Sequence, residues 1–564
     1  MQVRRRIILL MFSFLAIFIV LTAALGYHQI FKGQQLAKQA VAMRSKQVEL
    51  KEYPRGEILD RNLIPLTSYQ NSHAVYFLFT RETAQPQNMQ SVAASLAGAL
   101  GNVSSQQLLV MLEEGKKTGN PFVRIALDLT AGQIARINLS GQTGIVVAPI
   151  SKRYTNEGFA AHILGYVSKE NLQGQAGLEK IFDDILQKDH FEQELVTVLD
   201  ARGMAIQGLM FKIRQQQESE QGTVVLTIDR RIQKIAEDAV NSSMTKGAVV
   251  VMDIVSREIL AMVSRPTFNQ YEIDKVLLQS REDSPLINRA LNSYHPGSLF
   301  KILVAAAALA EKKVTLDDQF FCSGTMVIND EVSINCWKEE GHGSLNFAEA
   351  FANSCNSAFI ETGLRLGRDD LLEYANKLKI IDETIIGYAS HQGNSFIKVN
   401  PGKAAMGNAS IGQQGVMLTP LQITSLIATI ADDGWYKPPS LVRYYVNRDG
   451  KRQDYTAGKG ERVLDAEVAR TVRKLMEKCI NDGTGKSAAL TEVMVAGKTA
   501  TSQTGIIKEE NEVLNAWFGG YLPAQKPRWA IVVLVEEGES GAGEAAPIFK
   551  EISQKLLPLY TASN

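Results

Sequence analysis

The 564-residue chain is too long for one compact core, and at about 150 residues per domain its length predicts three or four domains. Hydrophobic residues make up 45% and charged residues 21%, which is typical of a folded protein and excludes a mostly disordered one. The 60 basic and 60 acidic side chains cancel, which excludes a strongly basic nucleic-acid-binding surface. Four cysteines are too few for a disulfide scaffold, and without a C-x-x-C pair or H-E-x-x-H sequence the chain is predicted to hold no metal.

The N-terminus predicts a membrane anchor. Arg4–Arg6 precede an uncharged, apolar run from Ile7 to Tyr27, and about 20 apolar residues cross a hydrocarbon core about 30 Å thick. Basic residues before the run keep the N-terminus cytoplasmic and export the rest of the chain. The alternative is a cleaved signal peptide with Thr22-Ala23-Ala24 near the cleavage site, but signal h-regions are usually about 7–15 residues long. We therefore predict a single-pass protein of the cell membrane, with residues 1–28 as cytoplasmic stub and anchor.

The next segment, residues 29–222, is predicted to be a stalk and a mixed α+β domain. Residues 29–51 are polar with apolar residues at loosely helical spacing, and Pro54 and Gly56 end this stalk. Short strands and helices follow, with one helix expected over residues 88–114. The polar stretch 215–222 has too little apolar surface to pack, so it predicts a loop or linker.

The remaining residues, 223–564, are predicted to form an antiparallel sheet faced by helices. Residues 248–253 and 258–264 are rich in β-formers and predict a hairpin, and helical segments then dominate to about Lys486. Strands are predicted again at 493–503, 515–522 and 529–536, before an amphipathic helix at 548–559. Two strands, a large helical insertion, three strands and a final helix indicate an α+β fold.

A serine nucleophile is predicted inside this domain. His295-Pro296-Gly297-Ser298-Leu299-Phe300-Lys301 leads into an Ala/Leu run of high helix propensity, so Ser298 should lie at a helix N-terminus. Ser298 and Lys301 are three residues apart and share one face of an almost wholly apolar helix. Burial lowers the pKa of a lysine, which allows it to accept a proton from the serine.

Two further groups strengthen this prediction, since S-x-x-K alone also fits a capping serine beside a lysine. Ser354-Cys355-Asn356 follows a helical stretch and offers a hydroxyl for proton relay and an amide for a substrate carbonyl. Lys498-Thr499-Ala500-Thr501 lies on a predicted strand, where an ammonium and two hydroxyls can bind a carboxylate. The order S-x-x-K, S-x-N, K-T-x-T is that of penicillin-binding proteins and serine β-lactamases.

With these motifs the chain resembles the class B penicillin-binding proteins, the monofunctional transpeptidases that cross-link peptidoglycan. The resemblance continues outside the triple motif, in Arg55–Asn62, Arg153-Tyr154, Gly165–Val167, Gly177–Glu179, Leu226–Asp229, Asn288–Ala290 and Ile411–Gln413. It implies a pedestal domain of the PBP dimerisation type at 29–222 and a penicillin-binding, serine β-lactamase-like transpeptidase domain at 223–564. It also implies peptidoglycan stem peptides as substrate, β-lactams as covalent inhibitors, no cofactor, and a SEDS-type glycosyltransferase as partner.

The resemblance also assigns roles to the motif residues. Ser298 would attack the carbonyl between two terminal D-alanines while Lys301 takes its proton, and Ser354 would relay a proton to the departing D-alanine. Asn356 would orient the peptide. The terminal carboxylate would lie against Lys498, Thr499 and Thr501, and the backbone N–H groups of Ser298 and Thr501 would form the oxyanion hole.

Several alternatives stay open at this stage. Attack by water would make the protein a D,D-carboxypeptidase, and the same fold also serves β-lactamases, β-lactam sensors and non-catalytic scaffolds. Ala500 stands where the family usually has glycine, and its methyl group is expected to narrow the space for substrate or β-lactam. Cys322 and Cys336 are expected to flank a hairpin and fit either a disulfide or two free thiols, and His295 and His342 are expected to be structural or rim residues. A role in division, elongation or sporulation is not indicated.

Overall fold

The computed structural model describes residues 2–36, 45–50, 55–67, 70–80, 82–117, 122–168, 172–187, 193–198, 212–214, 222–278, 283–329, 332–382, 384–389, 394–456 and 458–561. The predicted linker at 215–222 lies outside these residues, apart from Gly222. Contacts divide the chain into two compact units. The first comprises residues 1–54, 71–151 and 188–218, and the second comprises residues 55–70, 152–187 and 219–564.

The first unit begins with the predicted anchor. Helix Gln2–Gly26 continues into a π-helical turn, Tyr27–Phe31. The most apolar 18-residue window of the segment Arg4–Ile30 has a mean hydropathy of 2.9, and none of that window is buried within the protein. Within the described ranges this is the one helix long and apolar enough to cross a membrane. The part of the predicted stalk at Ser45–Leu50 is not helical, because it pairs as a strand with Gln193–Val198.

The rest of the first unit packs three helices on a three-stranded sheet. Gln70–Leu78 is the central strand, between Phe122–Ala126 and Ile145–Lys152. The helix expected over 88–114 is in fact two helices, Pro86–Leu100 and Ser105–Lys117, because Gly101 adopts a left-handed φ of 76° and ends the first. A third helix, Ala131–Leu139, completes the layer, and a separate sheet joins Ser45–Leu50, Gln193–Val198 and Lys212–Arg214.

The second unit is built on a five-stranded sheet, which confirms the predicted antiparallel sheet. Its strands are β1 (Gly247–Asp253), β2 (Ile259–Arg265), β3 (Ala496–Lys508), β4 (Asn511–Leu522) and β5 (Trp529–Glu536). Their order is β2-β1-β5-β4-β3 with every neighbouring pair antiparallel, so β3 is an edge strand. The β3–β4 hairpin is longer than predicted and turns at Glu509-Glu510, both with positive φ. Its tip is exposed on both faces, so it lacks the alternation that marks a strand in a sequence.

Alternate residues of its strands point to opposite sides of the sheet, and helices cover both faces. One face packs on helices Arg230–Asn241 and Ala546–Thr561, and the other packs on Lys301–Ala310, Pro420–Ala431 and Ala466–Asn481. Lys301–Ala308 and Pro420–Ala431 are buried throughout, which explains why these helices are apolar all round. The remaining helices of the unit are Ala161–Leu164, Gly177–Ile181, Asp183–Leu186, Ile273–Leu278, Phe347–Ala352, Asn356–Leu366, Arg368–Lys377 and Lys403–Ser410.

The insertion between β2 and β3 contains the hairpin expected between Cys322 and Cys336, as Thr325–Val327 paired with Ser333–Asn335, and further short strands that the helical prediction omitted. Most pair locally, and their runs of two to five residues are too short for a periodic pattern. One of them, Val442–Val446, instead joins a four-stranded sheet with Arg452–Asp454, Thr223–Leu226 and Glu57–Leu59. The others are Gln319–Cys322, Gly343–Asn346, Phe396–Ile397, Val416–Met417, Trp435–Tyr436 and Glu461–Arg462.

A buried ion cluster joins residues that the sequence singled out as family signatures. The carboxylate of Glu179, fully buried, accepts hydrogen bonds from Arg55 Nε at 2.6 Å, Arg153 Nε at 2.5 Å and the Tyr154 hydroxyl at 2.8 Å. Burial alone would raise the pKa of Glu179, but the two guanidinium groups outweigh it and the pKa is lowered. Asp183 also pairs with Arg55 at 2.7 Å, so two guanidinium groups and two carboxylates form one charge-balanced cluster within the second unit.

Candidate active site

The nucleophile candidate lies in a tight turn before a buried helix. Ser298 is the middle residue of a 3₁₀ turn, Gly297–Leu299, and Lys301 is the first residue of the following α-helix. Gly297 has φ +54°, and a Cβ atom there would come within 3.0 Å of the Thr501 carbonyl oxygen on β3. Glycine is therefore required for the turn to approach β3 closely, which brings Ser298 beside the third motif.

Lys301 is fully buried and bound to the second motif. Its Nζ donates hydrogen bonds to the Ser354 carbonyl oxygen at 2.8 Å, to Asn356 Oδ1 at 2.8 Å and to Ser354 Oγ at 3.4 Å. Burial, followed by repulsion from Lys498, lowers the pKa of Lys301 to about 7. A substantial fraction of this amine is therefore neutral near neutral pH, as a general base requires.

The second motif forms a strained turn between helices Phe347–Ala352 and Asn356–Leu366. Ser354 has φ +55°, a left-handed conformation that a residue with a side chain adopts at a cost. The amide of Asn356 is held on both sides, because its Oδ1 accepts from Lys301 while its Nδ2 donates to the Asn335 carbonyl oxygen at 3.0 Å. Strain of this kind persists where the surroundings fix a functional geometry.

The third motif lies on the edge strand β3. Lys498 is fully buried with its Nζ 5.2 Å from the centre of the Phe351 ring, and this Nζ has no hydrogen-bond partner among the described residues. Burial lowers the pKa of Lys498. Thr499 Oγ1 lies 2.5 Å from Thr484 Oγ1, and Thr501 is exposed, with its Oγ1 accepting from Gly541 N–H at 3.3 Å. A buried amine without a hydrogen-bond partner favours binding of a group that can accept from it, and an anionic group would also stabilise its charged form.

Ala500 is largely buried at the edge of the cleft. It is only 3% exposed and belongs to the hydrophobic cluster under β3, opposite Trp517 on β4. It also contributes to the lining of a cavity shared by the three motifs. The sequence could not show this burial, because the facing of a strand residue depends on the register of the sheet. The expected effect of the methyl group on substrate or β-lactam fit stays a prediction.

The three motifs meet at one cavity of about 370 Å³. Six of the predicted residues line it, namely Ser298, Ser354, Asn356, Thr499, Ala500 and Thr501, while Lys301 and Lys498 are fully buried and are not among the lining residues. The sequence analysis missed four further lining residues, namely Trp337, Thr484, Ser540 and Ala542. These come from loops and short elements without a local signature. Gln413, from a quoted family motif, also lines the cavity.

The remaining predicted residues lie outside the catalytic cluster. His295 Nδ1 is 2.7 Å from the Val416 carbonyl oxygen, which fits its expected structural role. All four cysteines are free thiols in this structure, including Cys322 and Cys336. A slightly larger cavity, of about 440 Å³, lies beside His162 and Phe268, and residues of the three catalytic motifs do not line it.

Comparison with known proteins identifies the class. The family model for the penicillin-binding protein transpeptidase domain matches residues 247–554, more than half of the chain, so the protein belongs to this family. The model for the penicillin-binding protein dimerisation domain matches residues 51–226. The two domains together make the chain a class B, monofunctional penicillin-binding protein.

Individual relatives agree with this assignment. The chain is 30% identical over 587 residues to stage V sporulation protein D of Bacillus subtilis, covering 99% of this chain and 86% of that protein. It is 27% identical over 506 residues to the peptidoglycan D,D-transpeptidase MrdA of Haemophilus influenzae, covering 78% of this chain and 75% of that one. A D,D-transpeptidase domain structure from Eggerthella lenta shares the fold, with a TM-score of 0.63 at 23% identity over 90% of this chain and 99% of that one.

Proposed function

We propose that the protein is a peptidoglycan D,D-transpeptidase that works through an acyl-enzyme on Ser298. The observation that carries this proposal is that residues of all three motifs line one cavity, while the partly neutral amine of Lys301 is hydrogen-bonded to the lining residues Ser354 and Asn356. The family assignment supports the reaction class, and relatives such as MrdA are named for this activity. The domain limits 29–222 and 223–564 belong to the same proposal.

Acylation begins when Ser298 Oγ attacks the carbonyl carbon between the two terminal D-alanines of a stem peptide. The neutral amine of Lys301 accepts the hydroxyl proton, and the backbone N–H groups of Ser298 and Thr501 stabilise the oxyanion. When the amide bond breaks, the departing D-alanine amine needs a proton. Lys301 Nζ lies 3.4 Å from Ser354 Oγ, so the proton passes from Lys301 through the Ser354 hydroxyl to the leaving group.

Binding of the stem peptide depends on Lys498, whose buried Nζ has no hydrogen-bond partner among the described residues and would be charged by the arrival of a carboxylate. The terminal carboxylate of the peptide lies toward Lys498, with the hydroxyls of Thr499 and Thr501 as further donors. A charge-assisted contact of this kind is stronger in a site shielded from water. The side-chain amide of Asn356 is held in one orientation by Lys301 and Asn335. It therefore offers its hydrogen bonds in one direction, which favours one orientation of the bound peptide.

In the second half of the reaction, an amine from a neighbouring strand attacks the Ser298 ester and forms the cross-link. Attack by water instead releases a trimmed stem, the carboxypeptidase reaction. β-Lactams acylate Ser298 by opening their strained ring, and their leaving group stays attached. The resulting ester therefore persists unless water attacks it, as in a β-lactamase.

The membrane topology and the partner are part of the same proposal. Arg4–Arg6 before the apolar helix support a cytoplasmic N-terminus and an extracytoplasmic catalytic domain. Because a monofunctional transpeptidase needs glycan strands made by another enzyme, we propose a SEDS-type glycosyltransferase as the partner. The resemblance to class B proteins supports this choice.

The test is a product assay with the full-length chain in detergent, a stem pentapeptide on a glycan strand and an acceptor strand. Mass spectrometry should find cross-linked dimers from the wild type and none from Ser298→Ala. Ser293→Ala is the matched control, a serine five residues earlier, and it should retain activity. Trimmed stems without dimers would replace the transpeptidase proposal by a carboxypeptidase, and dimers from Ser298→Ala would exclude Ser298 as nucleophile.

A further inference from the structure

Three cysteines and a histidine come together beside the active site. Cys322, Cys336, His342 and Cys355 each offer one ligand atom, and these atoms all lie within 4.8 Å of one another. The three cysteines are buried and His342 is half-buried. Cys479, the fourth cysteine of the chain, lies outside this group.

The fold brings these residues together from separate elements. Strand Gln319–Cys322 pairs with Gly343–Asn346 so that Cys322 is opposite Gly343, which places His342 next to it. Cys336 follows strand Ser333–Asn335, and its N–H donates to the Gly324 carbonyl oxygen at 2.8 Å, two residues after Cys322. Cys355 enters from the turn of the second motif. The four residues are separated by 14, 6 and 13 positions, which is why a search for C-x-x-C did not find them.

The geometry is that of a tetrahedral metal site. Zinc–sulfur bonds of about 2.3 Å and zinc–nitrogen bonds of about 2.1 Å require ligand atoms about 3.5–3.8 Å apart. Cys336 Sγ and His342 Nδ1 are 3.6 Å apart, and shifts of about 1 Å or less would bring the remaining pairs to this range. A tetrahedral set of three thiolates and one imidazole favours zinc over magnesium, calcium or manganese, which prefer oxygen.

Neighbouring groups support thiolates at these positions. The Asn356 N–H donates to Cys336 Sγ at 3.4 Å, and the Ser357 hydroxyl lies 3.4 Å from Cys322 Sγ. The Trp337 ring packs edge-on against the His342 imidazole, with the ring centres 5.3 Å apart, and so orients it. Such outer contacts hold ligands in place and are a regular part of metal sites.

We propose that Cys322, Cys336, His342 and Cys355 bind one zinc ion, and that this ion positions the Ser354–Asn356 turn of the active site. With four protein ligands the site has no open position, so the zinc is structural and takes no part in the reaction. Cys355 lies between Ser354 and Asn356, and the Asn356 N–H bonds to a second ligand, Cys336. The metal thereby fixes the strained Ser354 conformation.

The test of binding uses the full-length chain purified in detergent under reducing conditions. Elemental analysis should find about one zinc per chain, and Co²⁺ substituted for it should give the intense visible bands of tetrahedral thiolate coordination. Cys336→Ala and His342→Ala should each lower zinc occupancy at least about tenfold. Cys479→Ala, the matched control, removes a buried thiol outside the cluster and should keep the zinc.

Two outcomes would overturn the site. One is zinc content that does not change in the ligand variants. The other is wild-type protein that holds no zinc although alkylation after denaturation finds all four thiols free, since the four ligands would then be available and still not bind the metal. The expected result is bound zinc in the native protein and four alkylated thiols after denaturation.

The positioning role rests on the proposed function, and it is tested separately. Removing zinc with a chelator should slow acylation by a labelled penicillin by about 10²-fold, as expected for a misplacement near 1 Å, and added Zn²⁺ but not Mg²⁺ should restore it. Equal acylation rates with and without zinc would refute the positioning role. Bound zinc in a wild type that is never acylated would instead refute the proposed function and leave the metal site standing.

Discussion

The general-base role of Lys301 predicts a specific response to removal of its titratable amine. In Lys301→Arg the side chain keeps a positive charge of similar reach but cannot give up its proton under protein conditions. In Lys301→Met the side chain keeps a similar length without any amine. General-base contributions are about 10²–10⁴-fold, so both variants should acylate at least about 10² times more slowly, equivalent to about 2.7 kcal/mol or more in barrier height.

The general-base role of Lys301 also predicts how the acylation rate of the unmodified protein varies with pH. The pKa of Lys301 is lowered to about 7, first by burial and then by Lys498. Only the neutral amine accepts the Ser298 proton, so the acylation rate should rise with pH and level off above the pKa. About half of the amine is neutral at pH 7 and about a tenth at pH 6, so the rate at pH 6 should be roughly a fifth of that at pH 7.

The assay is stopped-flow or quenched acylation by a fluorescent penicillin, with the second-order rate constant measured from pH 5.5 to 9. Thermal unfolding is the control, because Lys301 is fully buried and a larger guanidinium costs about 1–3 kcal/mol of packing strain. A folded Lys301→Arg or Lys301→Met variant that acylates within a few-fold of wild type would refute the reasoning. Lys301 would then be an electrostatic partner, and the Ser354 hydroxyl would be the next candidate for the base.

Two further variants test the packing around the site and the ion cluster. Ala500→Gly should leave the acylation rate within about threefold and lower the unfolding free energy by about 1–2 kcal/mol, because it removes a buried methyl group and adds backbone entropy; a large change in acylation would show that the methyl group acts in the cleft. Glu179→Gln should lower the unfolding free energy by about 3–5 kcal/mol, since it leaves Arg55 and Arg153 buried without full charge balance. Chemical denaturation of matched samples measures both, and an unchanged midpoint for Glu179→Gln would mean that Asp183, which also pairs with Arg55, is sufficient.

Features with a local signature were predictable from the sequence. The apolar run at the N-terminus, the runs of β-formers in the central sheet and the Ala/Leu helix after Ser298 each follow from their own residues. The three motifs could be assigned because their residue types and order are specific, and the structure brings them to one cavity. Burial of Lys301 followed from the apolar helix that carries it.

Features that depend on tertiary register were not predictable. The methyl group of Ala500 faces the core because of how β3 aligns with β4. The Cys322–Cys355 cluster exists because two short strand pairs and a helix turn meet, and none of these has a periodic pattern. The break at Gly101 was missed because a single glycine inside an apolar helical pattern is often tolerated.

The central claim is that Ser298 is the acylated nucleophile. Intact-mass analysis of the full-length protein treated with a labelled penicillin should show one adduct per chain, and fragmentation should place it on Ser298. The adduct should be long-lived, and it should be absent from Ser298→Ala but present in Ser293→Ala. An adduct on any other residue, or one that survives in Ser298→Ala, would contradict the account.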